Sequence, residues 1–478
     1  MPIDTGVPSS TRQPGSFVKF DVTTAARGLV SLTRYGALIG MKTASGTKAV
    51  ATPVLVSSAD EADTYFGRNS ELALMCRAAL AEGRRAGRCP EIWAVAVAPP
   101  AGVAATFTFT ITGPATAAGD LIIKIAGRVI RAAVANGDAQ NTIAAALKNA
   151  IDTQAATGDL PVTAGVATNV VTVTFPHIGV NGNDVRVSTE STPTGVACTA
   201  AAGVTGTGSY DITASLDVLI DKTYRGVAVA NHLAADVTDL ATYQTARALP
   251  GAKAWSYSFM GETGTLATAT SLASGANSEY QVIANYEQGP AMPGEVAARL
   301  MVARLAKEQP NLPLSGYELD LPLPPDAYVY TPSEIESALS AGVTPLTPNA
   351  TKSKMKVERL VTTRTTLNSA PFDALRDLAV HYALSYMGEQ YDAAIRVMMS
   401  ADENKLVDAE TKKRIRSKLI EVARAGEEAR IVQNVDAHIG EFVVETDATV
   451  KSRVNYDTPN SVVPGLEQVA GVMRLFLE

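Results

Sequence analysis

Threonine and apolar residues alternate strictly along Thr106-Phe107-Thr108-Phe109-Thr110-Ile111-Thr112, a period of two that predicts a strand with one buried face. Two runs, Leu121 to Ile125 and Val129 to Val134, lie either side of Gly127 and predict a hairpin. The period then lengthens: Ile143, Leu147 and Ile151 share one face of a helix that starts near Asp138. Val170 to Phe175 and Asp184 to Val187 return to strand patterning, so residues 99–207 form a compact α+β module of β-β-α-β-β order. Its flanks, Pro99 to Ala105 and Thr199 to Gly208, are rich in Ala, Gly and Thr and have the composition of hinges.

Around this module the pattern is that of an α/β domain, over 21–98 and 208–345. Ala37 to Gly40, Val54 to Val56 and Ile92 to Val97 are short apolar runs suited to buried strands, with a helical stripe of Leu72, Met75, Cys76 and Ala79 between them. Ser58 and Glu61 are placed for a capping box. After the module, Val227 to Ala230 and Ala254 to Ser258 predict strands, and Leu233 to Arg247 and Pro293 to Lys307 predict helices. Thr331, Pro332 and Glu334 mark a helix start and Gly342 its end. Alternating strands and helices imply a mixed or parallel sheet.

A last domain covers 346–478. It opens on a strand near Lys354 and continues with a long helix from Pro371 to Met398, whose face carries Phe372, Leu375, Leu378, Ala379, Tyr382 and Tyr386. Asp408 caps a second helix with Ile415, Leu419, Val422 and Ala423 turned inward; Glu441 to Thr446 and Val450 to Tyr456 are strand-like. The ends differ from everything between them. Residues 1–20 carry Pro2, Pro8, Pro14, Gly6 and Gly15 with little periodicity beyond Phe17-Val18-Lys19-Phe20, the composition of an extended arm. Gly471 to Glu478 is apolar strand material, an edge that calls for a partner.

The 478 residues exceed one ordinary domain, and 46% hydrophobic with 19% charged residues gives ample core. A net charge of -7 argues against direct nucleic-acid binding, which needs clustered cations to displace counterions. No apolar run reaches the roughly 18 residues of a membrane helix, so no direct membrane binding is expected. The start, Met1 to Gly6, lacks the basic and apolar pattern of a signal peptide, which leaves assembly in a cytoplasm as the expectation.

Candidate chemistry is sparse. His177, His232, His381 and His438 show no metal-ligand spacing, and Cys76, Cys89 and Cys198 form neither a disulfide framework nor a zinc pattern. Ser45 to Lys48 fits S-x-x-K without the partner motifs that make it catalytic. Gly40 to Lys48 misses phosphate-loop spacing and is a surface turn instead. Asp402-Glu403-Asn404 with Asp408 lacks the calcium-loop order, which leaves an acidic turn and a helix cap. The cluster Lys412, Lys413, Arg414, Arg416, Lys418 is either a solvated helix face or an electrostatic face toward an acidic partner. No catalytic, cofactor or metal residue is assigned, and the chain is not expected to be an enzyme.

Four segments then come in order: Met292-Pro293-Gly294-Glu295-Val296-Ala297-Ala298; Leu312-Pro313-Leu314-Ser315-Gly316 with the Pro-rich Leu321 to Pro325; the helix Thr331 to Ala341; and Val357-Glu358-Arg359-Leu360-Val361-Thr362-Thr363-Arg364. This series resembles the contractile phage tail sheath proteins, Mu-like family. Arg12-Gln13-Pro14-Gly15-Ser16-Phe17 is similar to that family's arm motif, and Phe66 to Ala73 to a further step, with Asn69 where glycine is usual. The terminal run Leu466 to Phe476 is only loosely similar to the family's final strand.

The resemblance implies a discontinuous tail-sheath fold, with N- and C-terminal arms and the inserted module pointing outward. It implies a structural subunit that polymerises around an inner tail tube and contracts to drive the tube through the host envelope for genome ejection. Strand exchange between subunits would use Gly15, Phe17, Val18 and Phe20 of one arm and Val472, Met473, Leu475, Phe476 and Leu477 of the other. Lys412, Lys413 and Arg416 would face the tail tube. Implied partners are further copies of the chain, the tail tube protein, and baseplate and tail terminator proteins, in the tail of a virion assembled in a bacterial cytoplasm. The alternatives are the sheath of a non-phage contractile injection system and, from another class, an α/β hydrolase.

Overall fold

The computed structural model describes Leu29, Leu32, residues 34–401 and 406–467, and Ala470. These fall into two compact units, one of 1–32 with 383–463 and one of 33–382 with 464–478.

The larger unit begins with strands β1 (Tyr35–Met41) and β2 (Val54–Val56), helices α1 (Ala59–Phe66) and α2 (Glu71–Arg85), and β3 (Glu91–Val97). The module supplies β4 (Ala104–Thr112), β5 (Gly119–Ile125), β6 (Arg128–Val134), α3 (Gln140–Ala155), β7 (Thr163–Ala167), β8 (Val170–Ile178), β9 (Val187–Ser191) and β10 (Ala197–Ala202). The chain then returns through α4 (Thr213–Asp217), β11 (Tyr224–Val229), α5 (Ala234–Ala248), β12 (Tyr257–Glu262), α6 (Leu266–Ala276), β13 (Gln281–Asn285) and α7 (Pro293–Leu305). It closes with β14 (Glu318–Leu319), α8 (Pro332–Ser340), β15 (Thr344–Pro348), β16 (Met355–Val357) and the small hairpin β17 (Thr366–Leu367) and β18 (Ala370–Pro371).

A nine-stranded sheet of order β14-β16-β15-β13-β12-β11-β1-β3-β2 organises this unit. Strands β3, β1, β11, β12, β13 and β15 are parallel; β2, β16 and β14 add antiparallel edges. One face buries Ala37, Ile39, Val95, Val227, Val229 and Ile283 against Val237, Leu240 and Tyr243 of α5 and Ala269 and Ala273 of α6. On the other face α7 lies close to β1 and β11. An added Cβ at Gly226 or Gly36 would stand 2.5 or 2.7 Å from Met301, so glycine at both positions lets that helix settle.

The module carries a core of its own. Phe107, Phe109, Ile111, Ile123, Ile130, Leu147, Ile151, Val171 and Phe175 are buried between a four-stranded sheet of order β10-β4-β8-β7, a three-stranded sheet of order β6-β5-β9, and α3. The hairpin turn is where the sequence puts it, with Ala126 at φ 47° and Gly127 at φ 77°. The β-β-α-β-β order is short by three strands: the 106–112 strand and the hairpin are three strands before the helix, not two, and the short small-residue strands β7 and β10 carry little apolar signal. Strand character after β8 also starts later than Asp184. Residues 180–184 form a 3-10 turn, in which Gly182 lies so close to Phe175 and Ala105 that a Cβ would be within 2.9 Å of each.

The smaller unit holds most of α9 (Leu378–Ala401), with α10 (Ala409–Glu428), β19 (Val432–Gln433), β20 (Val443–Thr446), β21 (Val454–Asp457) and β22 (Ser461–Val462). Tyr386, Met387, Tyr391, Leu419, Ala423, Ile431 and Phe442 form its core. Helix α9 starts at Leu378, seven positions after the expected Pro371. The intervening chain makes a turn instead, closed by the Arg376 N–H on the Asp373 carbonyl at 3.1 Å and held from outside: Thr362 donates to the carbonyls of Arg376 (2.7 Å) and Leu375 (2.7 Å), and Arg359 pairs with Asp377 at 2.7 Å. The expected fold class, a mixed α/β and α+β multidomain chain, is the one observed.

Candidate functional site

Two places carry enough polar chemistry to weigh: the cationic helix α10 and the carboxyl edge of the parallel sheet.

The N-terminus of α10 is fixed by Asp408, whose carboxylate accepts the Thr411 N–H at 2.7 Å. That backbone bond holds the Asp408 pKa below its ordinary value. Ile415, Leu419, Ile420, Val422 and Ala423 face the core, so the cations are distributed over the flanks, and unequally. Arg416 is half-buried; its guanidinium donates to the carbonyls of Phe442 (2.8 Å) and Ile439. Lys412 is half-buried with Nζ 3.4 Å from Thr446 Oγ1. Lys413 and Arg414 are exposed. Lys418 pairs with Glu421 at 3.1 Å and Arg424 with Asp436 at 2.7 Å. The three residues named together from sequence are therefore physically different: Arg416 braces the fold, whereas Lys413 presents free charge to solvent.

In open α/β sheets, ligands sit beyond the carboxyl ends of the strands where the strand order reverses. Here that point lies between β1 and β11, and the module fills it. Glu71, the first residue of α2, donates its N–H to His177 Nε2 at 3.0 Å. Its carboxylate accepts from Asn181 Nδ2 at 2.6 Å, from the Met41 N–H at 3.0 Å and from Tyr210 at 3.4 Å. Burial pushes the Glu71 carboxyl up even against these donors, and it pushes His177 down to about 4. Beside them His232, just past β11, lies between Glu262 Oε2 on Nδ1 (2.8 Å) and Asp184 Oδ2 on Nε2 (2.9 Å). Burial works against its charge, but the hydrogen bonds and charges of the two carboxylates outweigh it and raise His232 to about 10.

This edge holds ion pairs without a nucleophile–base set. Both nitrogens of His232 are already engaged, and among the described residues no group of three or more His, Cys, Asp or Glu side chains could hold a metal ion. Sequence pattern does not reveal this cluster because its members are far apart in the chain. The available signal was positional: Asn231 and His232 directly follow a buried parallel strand.

The other histidines and the lookalike motifs have structural roles. His381 is half-buried against Tyr257, with the hydroxyl 3.0 Å from Nδ1, and desolvation lowers it to about 4. In the Gly40 to Lys48 segment, Lys42 Nζ donates to the Gly46 carbonyl at 2.9 Å and Lys48 lies over the Tyr65 ring, the geometry of a packed turn. Gly15, Phe17, Val18, Phe20, Val472, Met473, Leu475, Phe476 and Leu477 lie outside the described residues, as do 402–405 of the acidic turn. No helix among the described residues is long and apolar enough to cross a membrane.

Comparison with known proteins bears out the resemblance seen in the sequence. The chain is 27% identical over 497 aligned positions, covering 98% of it and 99% of the relative, to the Mu-like prophage FluMu tail sheath protein of Haemophilus influenzae. Its fold matches the crystal structure of a sheath tail protein from Desulfitobacterium hafniense with a TM-score of 0.53 at 14% identity, covering 95% of this chain and 97% of that one. A sheath tail protein from Listeria innocua aligns over 86% of this chain and 88% of its own with a TM-score of 0.48 at 14% identity. No protein-family model matches the chain.

Proposed function

We propose that this chain is the structural subunit of a contractile tail sheath of the Mu-like kind. The observation that carries this reading is the similarity to a Mu-like prophage tail sheath protein, which spans 98% of this chain and 99% of the relative. The sheath-type fold supports it, and so does the ion-paired filling of the sheet edge where an α/β enzyme would take its substrate. The subunit assembles with copies of itself around a tail tube, stores free energy in the extended lattice and releases it on contraction, without nucleotide chemistry and without acting as an enzyme. Its place is the tail of a phage particle built in the host cytoplasm, between baseplate and terminator proteins.

Two interfaces belong to this reading. The arms, with Gly15, Phe17, Val18 and Phe20 at one end and Val472, Met473, Leu475, Phe476 and Leu477 at the other, would link neighbours by strand addition, in which main-chain hydrogen bonds supply the affinity. The cations of α10 would meet the tube, with Lys413 and Lys412 better placed than Arg416, whose guanidinium is occupied by its own unit.

Negative-stain electron microscopy of the purified full chain tests the proposal. Regular hollow tubes or rings are expected; dispersed small particles at all concentrations would refute it.

A further inference from the structure

We infer that the 178–184 segment of the module serves as an internal ligand of the α/β sheet, locked into the carboxyl-edge crevice by His232 clasped between Asp184 and Glu262. The lock spans parts of the chain that otherwise fold around separate cores: Asp184 belongs to the module, His232 to the loop that follows β11, and Glu262 to the end of β12.

Hydrogen-bond chemistry dictates the protonation state. Carboxylates accept and do not donate, and a neutral imidazole carries a single N–H. With carboxylate oxygens at 2.8 and 2.9 Å from the two ring nitrogens, a neutral ring leaves one contact as acceptor against acceptor. Only the imidazolium satisfies both. Its partners are fixed in turn: Thr263 Oγ1 donates to Asp184 Oδ1 at 3.1 Å, and the Gly264 N–H donates to Glu262 Oε1 at 2.5 Å.

The remaining groups on every side make the need for a cation greater. Asp236, on the first turn of α5, is buried and pushed up to about 6 by that burial, with the His232 charge acting to lower it. Glu71 of α2 feels Asp184 as a like charge. Tyr330 feels Glu262 as well as Glu287 and Glu334, and burial with these charges pushes its hydroxyl up. The crevice is thus acidic on all flanks, and losing the His232 proton leaves Asp184 and Glu262 facing each other without a shared cation. His232 is raised from 6.5 to about 10. Its contribution is therefore complete below the unfolded value and is lost as the pH rises through about 10. The lock is closed at neutral pH and opens in alkali, which loosens the 178–184 segment together with the connecting stretches it is bonded to, the Gly179 N–H donating to the Val103 carbonyl at 3.3 Å and the Val180 N–H to the Gly208 carbonyl at 2.9 Å.

The experiment uses the soluble full-length subunit and does not depend on whether it polymerises. Wild type, His232→Gln and Asp184→Asn are digested with proteinase K near pH 7.5, and cleavage within 99–105 and 199–208 is timed. Both variants should be cut at these flanks about tenfold faster or more, since removing one partner strands a buried charge. Separately, the gap in melting temperature between wild type and His232→Gln should close on going from about pH 7.5 to about pH 10.5. If His232→Gln does not fold, Asp184→Asn decides, because it breaks the same clasp from the module side. Unchanged flank cleavage, or a melting gap that persists in alkali, overturns the inference.

Discussion

Arg128 and Glu295 form a double hydrogen-bonded ion pair between the module hairpin and the first turn of α7, with Nη1 to Oε1 at 3.2 Å and Nη2 to Oε2 at 2.9 Å. Glu295 is 4% exposed, and it sits where the N-terminal dipoles of α7 favour a negative charge. Removing the arginine alone leaves that carboxylate buried without its counter-charge. Arg128→Ala should lower stability by about 3–5 kcal/mol in urea unfolding, and Arg128→Met with Glu295→Gln by clearly less. Equal losses in the single and double variants would mean the pair contributes little.

The module should fold by itself. Its buried cluster draws nearly all its members from 105–196, with Met292 as the outside contributor. A fragment spanning 99–207 is expected to melt cooperatively by circular dichroism. Replacing the module in the full chain by a short Gly/Ser bridge should leave a folded remainder, but a weakened one, because Glu71, His232 and Glu295 each lose a module partner. A fragment with no cooperative transition would refute the domain boundary.

His177 should confer acid sensitivity. Its Nε2 accepts the Glu71 N–H at 3.0 Å, a bond only the neutral ring can make, and burial lowers it from 6.5 to about 4. A histidine with a depressed folded pKa contributes stability that is present above its unfolded value and is lost as the pH falls toward 4. The His177→Gln side chain offers an amide oxygen to the same N–H but does not titrate. Its urea midpoint should therefore fall less than that of wild type between about pH 7 and 5, and an unchanged slope would count against this account.

Much of this architecture was legible along the chain, and what was missed has physical causes. The strand of Thr106 to Thr112 and the stripe on α3 were readable because period and burial coincide there. Helix α8 was legible because Thr331, Pro332 and Glu334 are local signals, and the Thr331 side chain does accept the Glu334 N–H. Strand β12 was placed early, at Ala254 to Ser258. Its real end, Glu262, is a buried carboxylate that no periodicity favours and that is met by His232 and the Gly264 N–H. The start of α9 falls early in the sequence pattern for a similar reason, since Arg359 and Thr362, in the irregular segment after β16, capture residues 375–377. At α10 the inward face was correct, yet sequence treats Lys412, Lys413 and Arg416 alike. Only the carbonyls of Ile439 and Phe442 distinguish the arginine.

The arms are proposed to hold subunits together more than to build the units themselves. Deleting residues 1–20 or 470–478 should leave a soluble subunit with a cooperative melt that no longer forms tubes under the microscope. Normal tubes from both deletions would rule out strand exchange.

The last expectation concerns the charge proposed to face the tube. Lys413 is exposed on α10, and Lys412 beside it is half-buried near Thr446, so reversing these two should perturb the subunit's own stability little. Arg416 is different: Arg416→Glu removes two bonds to backbone carbonyls and should destabilise the unit whether or not a tube is present. A single exposed ion pair contributes only about 0–1 kcal/mol, but the same pair repeated on every subunit of a ring adds up along the polymer. Lys412→Glu with Lys413→Glu should therefore reduce the yield of tube-filled sheaths, most at low salt, while empty sheaths still form. Because screening shortens electrostatic reach to about 8 Å at physiological ionic strength, the wild-type advantage should shrink as salt is raised. If filled sheaths form equally well with both lysines reversed at low salt, the cations of α10 are solvated surface and the tube is gripped elsewhere.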